Sequence, residues 1–488
     1  MTGADGYAPQ VSAKAGDKRL ATARIRNLVK RFFDSQEAIR ELLAFAVDQG
    51  DVLDSDQAAA KRLAKIAMPS DAAPEAAAGV YRAAKEYLDG QHRAFVSARA
   101  TEVSAIKDGM DPEIAHKTLD EDWSKAYESS LKVLRARLHD LDISASGVMA
   151  IQRYIHRQIR RPRLPVLLDS LLMTSVNDFE NFFAGLARAS YAFQPQVLRE
   201  SSKTYSWADV AAYESIDEFT EFAIDEQVDR LMREGLDEWM KFVSKATRIK
   251  PDNLTKCADP VAEVLQRRHI ITHNGGRVSR TYLERTKGVV GAGTKLGQQL
   301  SVSREYLNDA LDRFALLATT IGTASTAAVE RTGGKTEGPG SYFIGDLVLD
   351  LLKLERYSCV APLLEILCDQ MPDAASVEAL RVNSWIARSR IDGPQSIKSE
   401  VEKWDVSNMD GRFRLAKWVL LENLGAAEIL ANQLVDQDVL SAHELATWPL
   451  LEPLRNYIAT EAAAGKTAPA KKVAAGKTAP AKRAATRT

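Results

Sequence analysis

Arg267-Arg268-His269-Ile270-Ile271-Thr272-His273-Asn274-Gly275-Gly276 joins a helical apolar pattern to an abrupt stop. Pro260 precedes it, and the spacing predicts a helix over 261–272. Gly275-Gly276 can take the left-handed conformations that end helices. The residue types also point to chemistry. Arginine is a permanent cation whose planar donor fork suits phosphate, and histidine exchanges protons near neutral pH. Two of the chain's seven histidines stand in this run, so Arg268, His269 and His273 are candidate groups for chemistry on a phosphodiester.

Outward from this run the same periodicity recurs, and the expected class is all-α and multi-domain. Leu28, Val29, Phe32, Phe33, Ile39, Leu42, Leu43 and Phe45 repeat mostly at three- and four-residue steps, predicting a helix over 27–47. A second is expected over 75–106. A third carries Trp123, Tyr127, Leu131, Leu134 and Leu138 on one face. The basic run Arg153 to Arg163 ends among Pro162 and Pro165 and reads as a solvated helix end at a boundary, the other reading being a contact with nucleic acid. Beyond it Leu167, Leu168, Leu171, Leu172, Val176, Phe179, Phe182, Phe183 and Leu186 predict a buried helix. A long helix over 215–247 opens with Ser215 and Glu218 at capping-box spacing, and another spans about 303–324.

Arg331-Thr-Gly-Gly-Lys-Thr-Glu-Gly-Pro-Gly340 is rich in residues that resist regular structure and reads as a linker. The expected division is a disordered start over 1–18, a helical region over 19–163, a central domain over 164–330, the linker over 331–341, and a helical C-terminal domain over 342–460. Short paired helices in that last domain leave a helical repeat open. Residues 461–488 are expected to be a disordered basic tail. They contain Lys466, Lys471, Lys472, Lys477, Lys482, Arg483 and Arg487, with Glu461 the single acid. An eleven-residue unit, opening Ala-Ala-Gly-Lys-Thr-Ala-Pro-Ala-Lys, occurs twice there. Such a segment cannot bury a core, and its cations bind nucleic-acid phosphates by counterion release or serve only to solubilise.

Composition sets the bounds. Of 488 residues 45% are hydrophobic and 27% charged, a globular balance. No apolar run is long enough to cross a bilayer and no secretory signal is visible, so a cytoplasmic location without membrane contact is the default. The net charge is −1, which leaves an acidic body beside the basic tail. Cys257, Cys359 and Cys368 are odd in number and scattered, arguing against a disulfide framework or zinc ribbon. His269 and His273 lie four apart, the spacing by which two imidazoles grip zinc. However, His-Ile-Ile-Thr-His lacks the glutamate of a metalloprotease and no third ligand is evident, so no metal or cofactor is expected. Gly288-Val-Val-Gly-Ala-Gly-Thr-Lys295 lacks P-loop spacing and reads as a loop.

Arg268-His-Ile-Ile-Thr-His273 matches the Arg-polar-x-x-x-His signature of HEPN domains, and His273-Asn274-Gly275-Gly276 with Tyr282-Leu283 resembles a run common in bacterial members. The resemblance covers about 164–322. It implies a central helical bundle flanked by helical regions, acting as a metal-independent ribonuclease in defence, toxin or RNA-processing systems. Its partners are then RNA, a second copy of the chain through the HEPN-like domain, and in some systems a protein regulator or antitoxin.

In the implied reaction His273 takes the 2′-hydroxyl proton or protonates the leaving oxygen, and Arg268 neutralises charge on the phosphoryl oxygens. His269 orients phosphate or holds the partner motif, Asn274 positions His273, and Glu180 matches an acidic position of some relatives. Five residues separate Arg268 from His273, about 140° around an ideal helix, so they do not stack on one face. Two motif helices about a two-fold axis bring both types to one cleft. The reading from another class is a non-catalytic scaffold that dimerises and binds protein or RNA.

Overall fold

The computed structural model describes residues 18–53, 55–67, 74–159, 163–193, 204–290, 293–331 and 340–467. Among these residues every regular element is helical, and the only β pairing is a single bridge between Arg277 and Gln299. The expected all-α class holds. The chain divides into two compact units, Met1–Gly334 and Lys335–Thr488, within the glycine-rich run read as a linker.

The first unit holds α1 (Lys18–Leu53), α2 (Asp56–Ala67), α3 (Pro74–Lys107), α4 (Pro112–His139), α5 (Ala145–Ile159), α6 (Leu164–Phe193), α7 (Trp207–Ala211), α8 (Ile216–Met232), α9 (Leu236–Thr247), α10 (Pro251–Asn274), α11 (Arg280–Arg285) and α12 (Arg304–Arg331). Helices α2 to α5 enclose one core of Leu63, Val80, Tyr87, Leu134, Ile151 and Ile155. A second core lies among α1, α6, α9, α10 and α12. There Phe32 of α1 meets Phe182 of α6 at 5.0 Å between ring centroids, and Phe179 stacks on Phe314 of α12 at 4.8 Å. Phe183 stacks on Trp239 of α9 at 4.6 Å.

The boundary expected at 163/164 therefore does not separate the cores. Helix α1 is part of the central bundle, and two glycines let it come close. A methyl at Gly185 of α6 would sit 2.7 Å from Leu28, and one at Gly322 of α12 would sit 2.7 Å from Val29. Residues 164–322 alone would leave α6 and α12 with an open apolar face where Leu28, Val29 and Phe32 of α1 pack.

Two helix boundaries differ from the periodicity. The helix expected over 215–247 is two, because the chain breaks at Arg233–Gly235 and turns back so that the Trp239 indole donates to the Leu231 carbonyl at 2.9 Å. Helix α10 starts nine residues before Pro260 and runs through it. Pro260 removes one backbone donor, yet Leu254, Cys257, Ala258 and Val261 form an unbroken buried stripe, and the Pro260 carbonyl accepts from Arg313 of α12 at 3.3 Å. Packing outweighs the lost bond.

The second unit holds α13 (Gly340–Lys353), α14 (Tyr357–Val360), α15 (Leu363–Leu367), α16 (Ala374–Asp392), α17 (Lys398–Lys403), α18 (Gly411–Leu420), α19 (Leu424–Asp436), α20 (Ala442–Thr447) and α21 (Glu452–Thr467). Its α-helices run from 4 to 19 residues. Buried Trp385 and Trp404 pack edge to face at 5.1 Å and donate to Glu400 and Glu378, whereas Trp418 is exposed. Helix α21 continues to Thr467, so Lys466 sits on a helix rather than in the disordered tail expected from 461. Lys471, Lys472, Lys477, Lys482 and Arg483 lie outside the described residues, as does the expected disordered start up to residue 17.

Candidate functional site

The site is built at the C-terminal end of α10. Gly275 ends that helix in the left-handed region at φ 55°, and the amide of Gly276 donates back to the Ile270 carbonyl at 2.9 Å. The chain then crosses to the segment before α12. Val278 N–H donates to Gln298 O, Leu300 N–H to Gly276 O and Gly297 N–H to Val278 O, each at 2.9 Å. Ile270, Val278 and Tyr282 bury themselves together, with Leu283, Val290 and Leu300 packed around them. The helix end thus carries a small cap comprising α11 and the returning chain.

His269 and His273, one turn apart, are both exposed, with ring centroids 4.8 Å apart and planes 52° apart. Partial desolvation, then the neighbouring His273, Arg268 and Arg285, lower the His269 pKa below the ordinary 6.5. The pair is wet and on one face, and its surroundings favour the neutral form of His269.

Arg268 points elsewhere. Its Nη2 donates to Glu180 Oε1 on α6, while its Nε is buried with no hydrogen-bond partner among the described residues. Both side chains of the pair are about 30% exposed. The structure therefore joins Arg268 to Glu180 and His269 to His273, with Arg268 acting on His269 through its field. Asn274 does not reach His273. Its side-chain amide donates to the Arg277 carbonyl at 2.6 Å, so the expected positioning role is replaced by one in holding the turn.

Earlier on α10, and turned toward α11 and α12, lies a group that the sequence reading did not pick out. Glu263, 4% exposed, accepts from the Tyr282 hydroxyl at 2.7 Å, the Tyr306 hydroxyl at 2.8 Å, Arg267 Nε at 2.8 Å and Arg313 Nη1 at 3.3 Å. Arg267 also lies 3.9 Å over the Tyr306 ring and donates to the Ser301 carbonyl. Burial opposes its charge, yet Tyr306 and Glu263 hold the guanidinium above its ordinary pKa. Burial, then the bonds to Glu263, push the Tyr282 phenol well above its normal range. This carboxylate ties α10, α11 and α12 into one frame. Glu263 and Arg267 at i and i+4 were the one signal of it in the sequence.

Among the described residues no group of three or more His, Cys, Asp or Glu side chains could hold a metal ion. No helix there is long and apolar enough to cross a membrane. No family model, curated protein or solved structure matches the chain.

Proposed function

We propose that this chain is a HEPN-type endoribonuclease that cleaves RNA without a metal, in defence, toxin or RNA-processing systems. The observation carrying this reading is the exposed His269–His273 pair at 4.8 Å on a helix that also presents Arg268. Cleavage through the 2′-hydroxyl needs one group to accept a proton and another to deliver one. One imidazole takes the 2′-hydroxyl proton as that oxygen forms a bond to phosphorus. The other protonates the departing 5′-oxygen as its bond to phosphorus breaks, leaving a 2′,3′-cyclic phosphate and a 5′-hydroxyl.

Surroundings that favour the neutral form of His269 suit it to the accepting role, with His273 as the other imidazole within reach of the phosphodiester. Arg268 offsets charge growing on the phosphoryl oxygens, with Glu180 setting its position. A second copy of the chain, docked through the same bundle, brings a second Arg268 and His273 to the cleft. A neutralising antitoxin or other protein regulator is compatible with such a nuclease.

The experiment is incubation of the purified protein with RNA in EDTA beside His273→Ala and Arg268→Ala. Cleavage by the wild type that disappears in both variants is the expected result. Cleavage that persists in His273→Ala, or that needs a divalent ion, removes the proposal. One observation favours the scaffold reading: Arg268 is already neutralised by Glu180, as it would be if it served only to pin α10 to α6. In that case Arg268→Ala lowers stability while no activity is found in any form.

A further inference from the structure

The cap over the end of α10 is strongly and asymmetrically charged. Between Gly275 and Leu300 stand Arg277, Arg280, Arg285, Lys287 and Lys295 against the lone carboxylate of Glu284. All five cations are exposed. None of them forms an ion pair among the described residues. Several other cations of this unit do find carboxylates: Arg40 pairs with Asp312, Arg188 with Asp225, Arg268 with Glu180, and Arg267 and Arg313 with Glu263. The cap is thus a local excess of positive charge on a chain whose net charge is −1.

That excess is mounted on a rigid frame. The three backbone hydrogen bonds between 276–278 and 297–300 clamp the loop. The Gln299 side chain adds a fourth to the Gly275 carbonyl at 2.6 Å. Tyr282, with no exposed surface, pins α11 to Ile270, while Arg280 and Arg285 of the same helix stay in solvent. Arg285 stands close enough to His269 for its field to act on that ring. Cations beside two imidazoles suit a phosphodiester chain of RNA better than an acidic peptide, because RNA carries the ribose hydroxyl whose proton an imidazole can take, and the peptide carries none.

We infer that Arg277, Arg280, Arg285, Lys287 and Lys295 form a docking platform for the backbone phosphates of single-stranded RNA, leading the strand across His269 and His273. The inference rests on the ribonuclease reading and gives it a substrate path. A single strand is required because the 2′-oxygen must swing into line with the departing oxygen, which A-form pairing prevents. Phosphate contacts position a strand without reading its sequence, so the platform predicts weak base preference.

The test uses the full-length protein and a fluorescent 2′-O-methyl oligoribonucleotide, which lacks the nucleophile and stays intact. Its binding is followed by anisotropy over a series of salt concentrations. Every phosphate that the protein ceases to neutralise lowers the slope of log affinity against log salt by about 0.7 for a single strand. The triple variant Arg277→Gln/Arg280→Gln/Arg285→Gln should bind at least about tenfold more weakly, with the slope reduced by about 2. Charge reversal at Lys287 and Lys295 is a second, independent variant, and circular dichroism checks that each keeps its helices.

Unchanged affinity and slope in both folded variants overturn the platform, as does tighter binding of a duplex or of polyglutamate than of the single strand. Retained binding to the platform with no cleavage of ordinary RNA supports the surface while removing the nuclease. Cleavage that survives in the triple variant with unaltered KM does the reverse.

Discussion

Arg268 of α10 donates to Glu180 of α6 across 88 residues of sequence, so the candidate phosphate-binding cation is aimed by a helix far from its own. The pair is about 70% covered and single-armed, and pairs of this exposure contribute roughly 0–1 kcal/mol to stability. Arg268→Lys keeps the charge and loses the planar fork. We expect its urea midpoint to shift by less than about 1 kcal/mol equivalent while RNA cleavage falls at least about tenfold. Full cleavage by this variant would show that the fork is not used on phosphate.

Glu263 makes the opposite prediction, large in stability. Glu263→Gln leaves Arg267 and Arg313 facing a neutral amide in a buried setting. Removing one partner of a buried ionic network costs about 3–5 kcal/mol, read as a shift in the denaturant midpoint of the full chain. Tyr282→Phe loses one hydrogen bond and should cost about 1 kcal/mol. A change below that for Glu263→Gln would mean that the two arginines find other acceptors.

His269 should titrate below 6.5 in an NMR pH series. Its neutral form is favoured by partial desolvation and by the cations around it, so taking away Arg285 must raise the pKa. Arg285→Ala is therefore expected to move the midpoint upward and to shift the acid limb of cleavage to higher pH, because a base must be neutral to act. A downward shift, or none, would place Arg285 too far from the ring to matter.

Gly276 sits at φ 78°, and a Cβ there would stand 2.6 Å from the Leu300 carbonyl oxygen. Backbone cannot yield cheaply, so Gly276→Ala should cost about 1–3 kcal/mol and loosen the cap, seen as faster amide exchange at Val278 and Leu300. Gly275 has φ 55° and open space around its Cβ position, so Gly275→Ala should cost only about 1 kcal/mol. Equal losses at both sites would contradict the close approach.

Helix content was legible because it follows from spacing along a short window. The apolar steps in 27–47 and 164–190, and the glycines after Asn274, announced α1, α6 and the end of α10 directly. The break between α8 and α9 was not legible, since Trp239 folds back on Leu231 only once both helices have a core to rest on. Pro260 misled for the same reason: its local penalty is overridden by a buried stripe that the surrounding helices supply.

Sequence by itself determined the all-helical class, the division near the glycine-rich run and the two histidines that share a helical face, because each depends on neighbours within a few turns. Tertiary structure alone decided that α1 belongs in the central bundle and that Glu180 holds Arg268. It also decided that Asn274 serves the turn and that Glu263 gathers two tyrosines and two arginines. Those pairings join residues that are mostly tens to hundreds of positions apart, and only the burial of shared apolar faces brings such distant groups within hydrogen-bonding reach.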